Sequence, residues 1–425
     1  MRTWGSVVVW VCLVTATWSI AGSPAAATPP PSAPSGFGLN VRITDGTTPF
    51  PHQVEPFVAV DGQGRLFVGW KEADTPDGPG TRVGFSRSPD GGATWSPNIL
   101  MDRIYKFQTD PWLAIDDLGR LYYARLEFSD ALLQNQGAVV SRSDDGGASW
   151  GTPTDADDLA VAFVDKSSLA TDGSVLYAGY TALIATGRTP QASIRVAASS
   201  EGGLSWSPSV PVSDRATTNP LGVVLAAAPG GFVHAAWWDP GSGNVLADRS
   251  LDAAQTWGED VRINPVPGSA SSSPANLWAQ PLPAIARTSE GILFVAWAQG
   301  VNADLDILVA RSDDGGTTWG KPVRVNDDRS GREQWQPALA VGPDDSLHLA
   351  WLDNRTGNYH VFYASSKDGR RWSPNLRVTD SETPSTFQRP GDYLGLAIDK
   401  SGSAYVVWTD GRTGDLEIFL ARRTA

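Results

Sequence analysis

The sequence predicts an all-β fold, a seven-bladed β-propeller, on three observations. The 425 residues include 44 Gly, 31 Pro and 18 Trp but only 19% charged residues, a composition suited to many turns and short, aromatic-rich strands. A hairpin motif recurs six times at intervals of about 55 residues. The last unit lacks its outer strand, and a matching strand stands near the N-terminus.

Taken from the start, Arg2, an apolar stretch from Val7 to Val14 and the small residues Ala25 and Ala27 read as a secretory signal peptide over 1–27. The apolar run is shorter than the ~20 residues a membrane span requires, so the mature chain is expected without one. Residues 28–38 form a Pro/Ser-rich linker, and 39–425 a single propeller domain. Length alone would suggest two or three domains; the repeat replaces that count with one ring. Cys12, the only cysteine, lies inside the signal. The exported chain therefore has no disulfide, no thiolate metal site and no cysteine nucleophile. The formal charge of -13 becomes -14 once Arg2 is removed, which disfavours nucleic acid and anionic lipid as partners.

The hairpin motif reads SRSPDGGATW, SRSDDGGASW, ASSEGGLSW, DRSLDAAQTW, ARSDDGGTTW and ASSKDGRRW, ending at Trp95, Trp150, Trp206, Trp257, Trp319 and Trp372. Its acidic positions are Asp90, Asp145, Glu201, Asp252, Asp314 and Asp368. An Asp here can accept hydrogen bonds from turn amides, a Gly can take positive φ, and the Trp can cover the hairpin. Ahead of each hairpin stands a second pattern: an apolar strand, a Gly/Asp turn and a second strand ending in an aromatic, as in QVEPFVAVDGQGRLFVGW from Gln53 and QTDPWLAIDDLGRLYYAR from Gln108. Weaker copies bring the total to seven units. The seventh stops at GDLEIFLARRTA, where its hairpin should begin. Fourth strands elsewhere read DVRIN, PVRVN and NLRVT, and residues 40–44 read NVRIT, so the N-terminal strand can complete the last unit and close a propeller. An open solenoid would leave both ends unpaired.

These hairpins resemble the Asp-box, or BNR, repeats of the sialidase superfamily, and the likeness covers nearly the whole chain from about Asn40. The longer unit is similar to secreted bacterial proteins described as sialidase-like. Sialidases are usually six-bladed, so six is the alternative count and seven a departure. The resemblance implies a secreted, extracellular glycoside hydrolase acting on terminal anionic sugars, with an arginine clamp for the substrate carboxylate. It also implies a tyrosine nucleophile assisted by a glutamate and an aspartic acid as acid/base, an exception to paired-carboxylate glycosidases.

Topology places hairpins and Gly/Asp turns on one face of the ring and the variable loops on the other, where function normally lies. Residues that break the repeat near that face are the site candidates. Tyr393 and Asp392 interrupt the first strand of the seventh unit, and Arg125 stands where other units place Trp. Arg389 stands before Pro390, where other units carry Glu55 and Asp110; Arg355 and Arg412 lie on nearby loops, and His52 on the PFPHQ loop. On the resemblance, Tyr393 is the nucleophile, Glu55 or Glu72 its partner and Asp110 the acid. Arg125, Arg389 and Arg412 form the clamp, and Arg355, Asp392 and His52 line the substrate site.

The Arg-Ile-Pro tripeptide of sialidases is absent; the equivalent reads Val54-Glu55-Pro56. Two further readings therefore stand beside the hydrolase: a non-catalytic propeller that binds a glycan or protein, and a polysaccharide lyase using His52 and Tyr393. No cofactor is required. A structural calcium ion could be held by the acids two residues beyond the strand-two Trp, at Glu72, Asp239, Asp353 and Asp410. The expected partner is an extracellular glycan or glycoconjugate, and the expected state a monomer.

Overall fold

The computed structural model describes residues 36–75, 80–129, 136–157, 163–184, 191–214, 219–270, 280–301, 304–383 and 391–425. The expected signal peptide, most of the expected linker and Arg389 lie outside them. The described residues form seven four-stranded antiparallel sheets and no helix. Six sheets are consecutive in sequence, and the seventh is completed by the N-terminal strand Val41–Arg42, which pairs Leu420 and Phe419 at the outer edge. The chain is a seven-bladed β-propeller. Asn40 and Asp380 each donate a backbone amide to the other's side-chain oxygen beside that closing strand, as do Asp45 and Asn98 on its other side.

The second strand of each blade, such as Leu66–Ala73 in blade one, is buried along its length. Trp70, Trp237, Trp297, Trp351 and Trp408 are wholly buried there and pack between blades. Trp70, for example, meets Val407, Ile418 and Leu420 of blade seven. Each such indole removes enough area from water to contribute roughly 4–6 kcal/mol as an upper bound. Residues i and i+2 share one face of a strand, and that spacing explains three of the acids beyond the Trp, while Asp239 instead takes the Asn219 and Gly241 amides and the Ser242 hydroxyl. The indole N–H of Trp70 donates to Glu72 at 2.8 Å, Trp351 to Asp353 at 3.1 Å and Trp408 to Asp410 at 2.9 Å. Among the described residues, no group of three or more His, Cys, Asp or Glu side chains is placed to hold a metal ion.

At the rim the hairpins repeat one set of bonds. Asp90 accepts from the Thr94 amide at 2.8 Å and hydroxyl at 2.6 Å, and Asp145, Asp252 and Asp314 do the same with Ser149, Thr256 and Thr318. Those hydrogen bonds hold each carboxyl down at about 2. Glu201 is reached by the Ser205 hydroxyl, and Asp368, in the shorter copy, takes the amides of Arg370 and Arg371. Arginines of the third strand lock neighbouring blades: Arg87, Arg142 and Arg311 each donate to a hairpin carbonyl of the next blade, at Gly146, Gly202 and Asp368.

Candidate functional site on the propeller axis

The innermost strands carry a bulge near their start. In blade one (His52–Val60) the ladder slips between Val54 and Phe57, in blade two (Phe107–Ile115) between Thr109 and Trp112, and in blade three (Phe163–Thr171) between Asp165 and Ser168. Blades four and six slip at Leu221/Val224 and Trp335/Ala338. The extra residue bends the strand and re-aims a side chain. It is left-handed in every case: Glu55 has φ 57°, Asp110 52°, Lys166 51°, Gly222 72° and Gln336 53°. For the four non-glycine residues this costs on the order of 1–3 kcal/mol each, and such strain gathers at functional sites.

The same register in blades five and seven falls on Leu282 and Tyr393, two residues ahead of Ala284 and Gly395, which pair with Ala296 and Val407. The ring around the axis thus reads Glu55, Asp110, Lys166, Gly222, Leu282, Gln336, Tyr393. This corrects the sequence alignment, which set Arg389 opposite Glu55 and Asp110. Arg389 stands ten residues ahead of Asp399, whereas Glu55 stands six ahead of Asp61; Tyr393 is the residue six ahead of Asp399, and the surplus of four shifts it into the ring.

The polar half of the ring is one buried network. Lys71 Nζ lies 3.0 Å from Glu55 Oε1, and Lys166 Nζ lies 2.5 Å from Asp392, 3.5 Å from Asp110 and 3.8 Å from Asp165. Four carboxyls thus face two ammonium groups. Glu55 is 0% exposed, and burial pushes its carboxyl up to about 7 against the pull of Lys71, with Asp110 and Asp392 adding to the rise. Asp110 is equally desolvated, but Lys166, Lys71 and a hydrogen bond from Glu55 outweigh burial and hold it below the usual range. Burial also lifts Asp165 to about 6, and the Tyr393 phenol, desolvated and flanked by Asp110, Glu55 and Asp392, is raised well above its ordinary value. Burial opposes the charge on Lys166, but Asp110, Asp392, Asp165 and Glu55 prevail and keep it protonated. Environments that split neighbouring carboxyls in this way separate a proton donor from an acceptor.

Beside the network the axis holds a cavity of about 120 Å³ to which all seven blades contribute, with Leu225, Leu282, Ile285 and Leu339 among its lining. Phe57 and Trp112 stack on each other at 4.1 Å in its lining, and Tyr393 meets Trp112 edge-on at 6.3 Å. Gly391 is required where blade seven meets blade one: a Cβ there would lie 2.8 Å from the Glu55 amide nitrogen, at φ 93°.

The structure brings Glu55, Asp110, Asp392 and Tyr393 together. It does not bring Arg125, Arg355 or Arg412 to them, and Arg389 lies outside the described residues. Arg125 is wholly buried inside blade two and donates through Nε to Glu127 at 2.7 Å, the bond that Trp makes to its i+2 acid elsewhere; Ser141 and the Asp102 carbonyl take its other nitrogens. Its departure from the repeat is a substitution of one scaffold donor for another. Arg355 and Arg412 are twin latches: each stacks on a third-strand Phe, Phe362 and Phe419, and is paired with Asp353 and Asp327, or Asp410 and Asp380. His52 accepts from the Leu416 amide and faces Asp415 at 4.0 Å, so it is engaged with the loop that leads into blade seven's third strand, Glu417–Arg423. The sequence reading missed Lys71, Asp165, Lys166 and Gln336. Lys166 follows Glu55 and Asp110 at steps of 55 and 56 residues, a signal that the weak third repeat, without the Pro that follows Glu55 and Asp110, had obscured.

No protein-family model and no curated protein matches the chain. Solved structures do match over most of its length. A protein of unknown function from Dyadobacter fermentans superposes with a TM-score of 0.57 at 15% identity, covering 92% of this chain and 100% of that one. The Hadza microbial sialidase Hz136 gives 0.52 at 18%, covering 71% and 63%. An α-L-arabinofuranosidase from Fusarium graminearum, in complex with an iminosugar inhibitor, gives 0.53 at 13%, covering 92% and 98%. The fold is a sialidase-like propeller. At these identities the likeness speaks for architecture, and it sets the chain beside glycoside hydrolases that differ in the sugar they act on.

Proposed function

We propose that the protein is a secreted glycoside hydrolase that removes a terminal sugar from an extracellular glycan at the loop-face end of the propeller axis. The observation that carries this reading is the split between Glu55, held at about 7, and Asp110, held low, beside the Tyr393 phenol. Glu55 is the proton donor and Asp110 the acceptor, which reverses the roles implied by the sialidase resemblance. Asp110 takes the phenolic proton as Tyr393 Oη bonds to the anomeric carbon, and Glu55 protonates the departing glycosidic oxygen. Water then displaces Tyr393, giving a proton to Glu55 while Asp110 returns one to the phenol.

The four carboxyls of the cluster, and the commitment of Arg125, Arg355 and Arg412 to acids elsewhere, favour an uncharged terminal sugar over an anionic one. Fluorogenic α-L-arabinofuranosides and sialosides presented to the mature protein test both points. Turnover of the uncharged substrate, lost in Tyr393→Phe and in Glu55→Gln, is the expected result, with kcat falling as pH rises through about 7. No turnover of either substrate removes the hydrolase reading.

A second reading, a non-catalytic propeller that binds a glycan through its loop face, is favoured by the complete burial of Glu55 and by an axial cavity well below the ~300 Å³ at which ligand pockets begin. It predicts glycan binding unchanged by Tyr393→Phe.

A further inference from the structure

The apolar half of the axial ring raises a question that the hydrolase reading does not use. The cavity of about 120 Å³ is lined by Lys166 and Asp392, which pair with each other, by Leu225, Leu282, Ile285, Leu339 and Leu396, and by Ser167, Gln336 and Tyr393. Those last three each bear a buried polar atom with no partner among the described residues: Ser167 Oγ, Gln336 Oε1 and Tyr393 Oη. Gln336 is only 4% exposed and Ser167 6%. Its Nε2 is already spent on the Gly391 carbonyl, which fixes the amide so that the free atom is an acceptor. A buried acceptor without a donor is costly, about 1–3 kcal/mol, and such groups in native proteins call for a ligand or an ordered water.

We propose that this chamber is a binding site for a small uncharged molecule with an apolar body and one hydroxyl group, of the size of phenol or a short cyclic alcohol. The volume bounds the size: an engineered apolar cavity of ~150 Å³ accommodates benzene, so about 120 Å³ admits at most one small ring in close contact with the wall. The Leu/Ile wall sets the body, which excludes a polyol. Gln336 Oε1 sets the hydroxyl: it needs an O–H donor, and Ser167 and Tyr393 can each give or take a second bond. The two charged residues of the lining, Lys166 and Asp392, are paired with each other at 2.5 Å, and a carboxylate would have to break that pair to be neutralised, so an acid is disfavoured. Occupancy requires no step of the glycosidase chemistry, and binding is read directly.

The test is calorimetric titration of the full mature chain with phenol, toluene and glycerol. Phenol is expected to bind one to one, at least tenfold tighter than toluene, with no binding of glycerol. Ala284→Leu and Ala338→Leu, which fill the chamber from two different blades, are each expected to weaken phenol at least tenfold without lowering the melting temperature by more than a few degrees. Gln336→Met is expected to bring phenol and toluene to equal affinity. Equal affinity for phenol and toluene in the unaltered protein, absence of binding, or phenol binding that survives both filling substitutions overturns the proposal. The comparison of phenol with toluene needs no variant, so failure of one to fold leaves the test intact.

Discussion

The rim and the axis of this propeller are built from the same repeat and use it in opposite ways. At the rim, five hairpin acids are Asp and the sixth is Glu201, and four of those Asp residues make the same amide and hydroxyl bonds. On the axis, one register position is filled by Glu55, Asp110, Lys166, Gly222, Leu282, Gln336 and Tyr393, a different residue in every blade. A position that every blade fills alike answers a need every blade has, namely closing a turn. A position that no two blades fill alike is released from that need, yet four of its occupants hold a strained left-handed backbone. Difference within a repeat is informative only where the scaffold is not itself the reason, as Arg125 demonstrates.

The largest test of this contrast is to break charge pairing on the axis. Lys166→Met leaves Asp110 and Asp392 without their principal cation, and denaturant unfolding should record a loss of about 3–5 kcal/mol. Gly391→Ala comes next. Its Cβ would press on the Glu55 backbone, and we expect a melting temperature lower by several degrees together with altered titration of Glu55; an unperturbed variant would mean that the junction of blades seven and one is loose. Single hairpin substitutions such as Asp145→Ala should cost only about 2–4 °C in melting temperature, because one exposed turn is lost.

Proton linkage separates the two regions more finely. A carboxyl raised by folding stabilises the folded state below its unfolded value, near 4.5 for Glu, and that contribution is lost as pH rises through about 7. The hairpin carboxyls are depressed, so their contribution is present above about 4 and is lost as pH falls toward about 2. Stability measured by chemical unfolding should therefore peak near pH 4–5. Glu55→Gln should flatten the limb from pH 5 to 7 and Asp145→Asn the limb below 4. Exchange of these effects between the two variants would refute the division of labour. The smallest effect is expected for Arg125→Trp. If Arg125 is a scaffold donor to Glu127, the indole should replace it with a change of about 1 kcal/mol or less, whereas Arg125→Ala, which removes the guanidinium paired with the buried Glu127 and leaves it only the Ile104, Tyr105 and Gln108 donors, should cost about 3–5 kcal/mol.

Much of the fold was legible because the repeat reports local requirements. The Gly residues of the hairpins, the Trp that closes the second strand and the displaced NVRIT strand each follow from turn geometry, apolar burial or an unpaired edge, and these are properties of short segments. The site was legible in part. Glu55, Asp110 and Tyr393 stood out as polar residues in inner strands, but the register of Tyr393 and Lys166 with Glu55 and Asp110 did not, because four surplus residues between Arg389 and Asp399 and the absent Pro in blade three hid them from the spacing. The arginines misled for the converse reason. Arg355 and Arg412 look free in DNRTG and DGRTG, and only packing reveals the Phe under each guanidinium and the carboxylates around it.

The sequence by itself determined seven units, their order, the strand that closes the ring and the face on which the hairpins lie, since each is encoded within some fifty residues of chain. Tertiary structure decided which side chains meet on the axis and which protons they hold. Residues 55, 110, 166 and 393 approach one another only when blades one, two, three and seven close around the same line, and the burial that moves Glu55 to about 7 does not exist until they do.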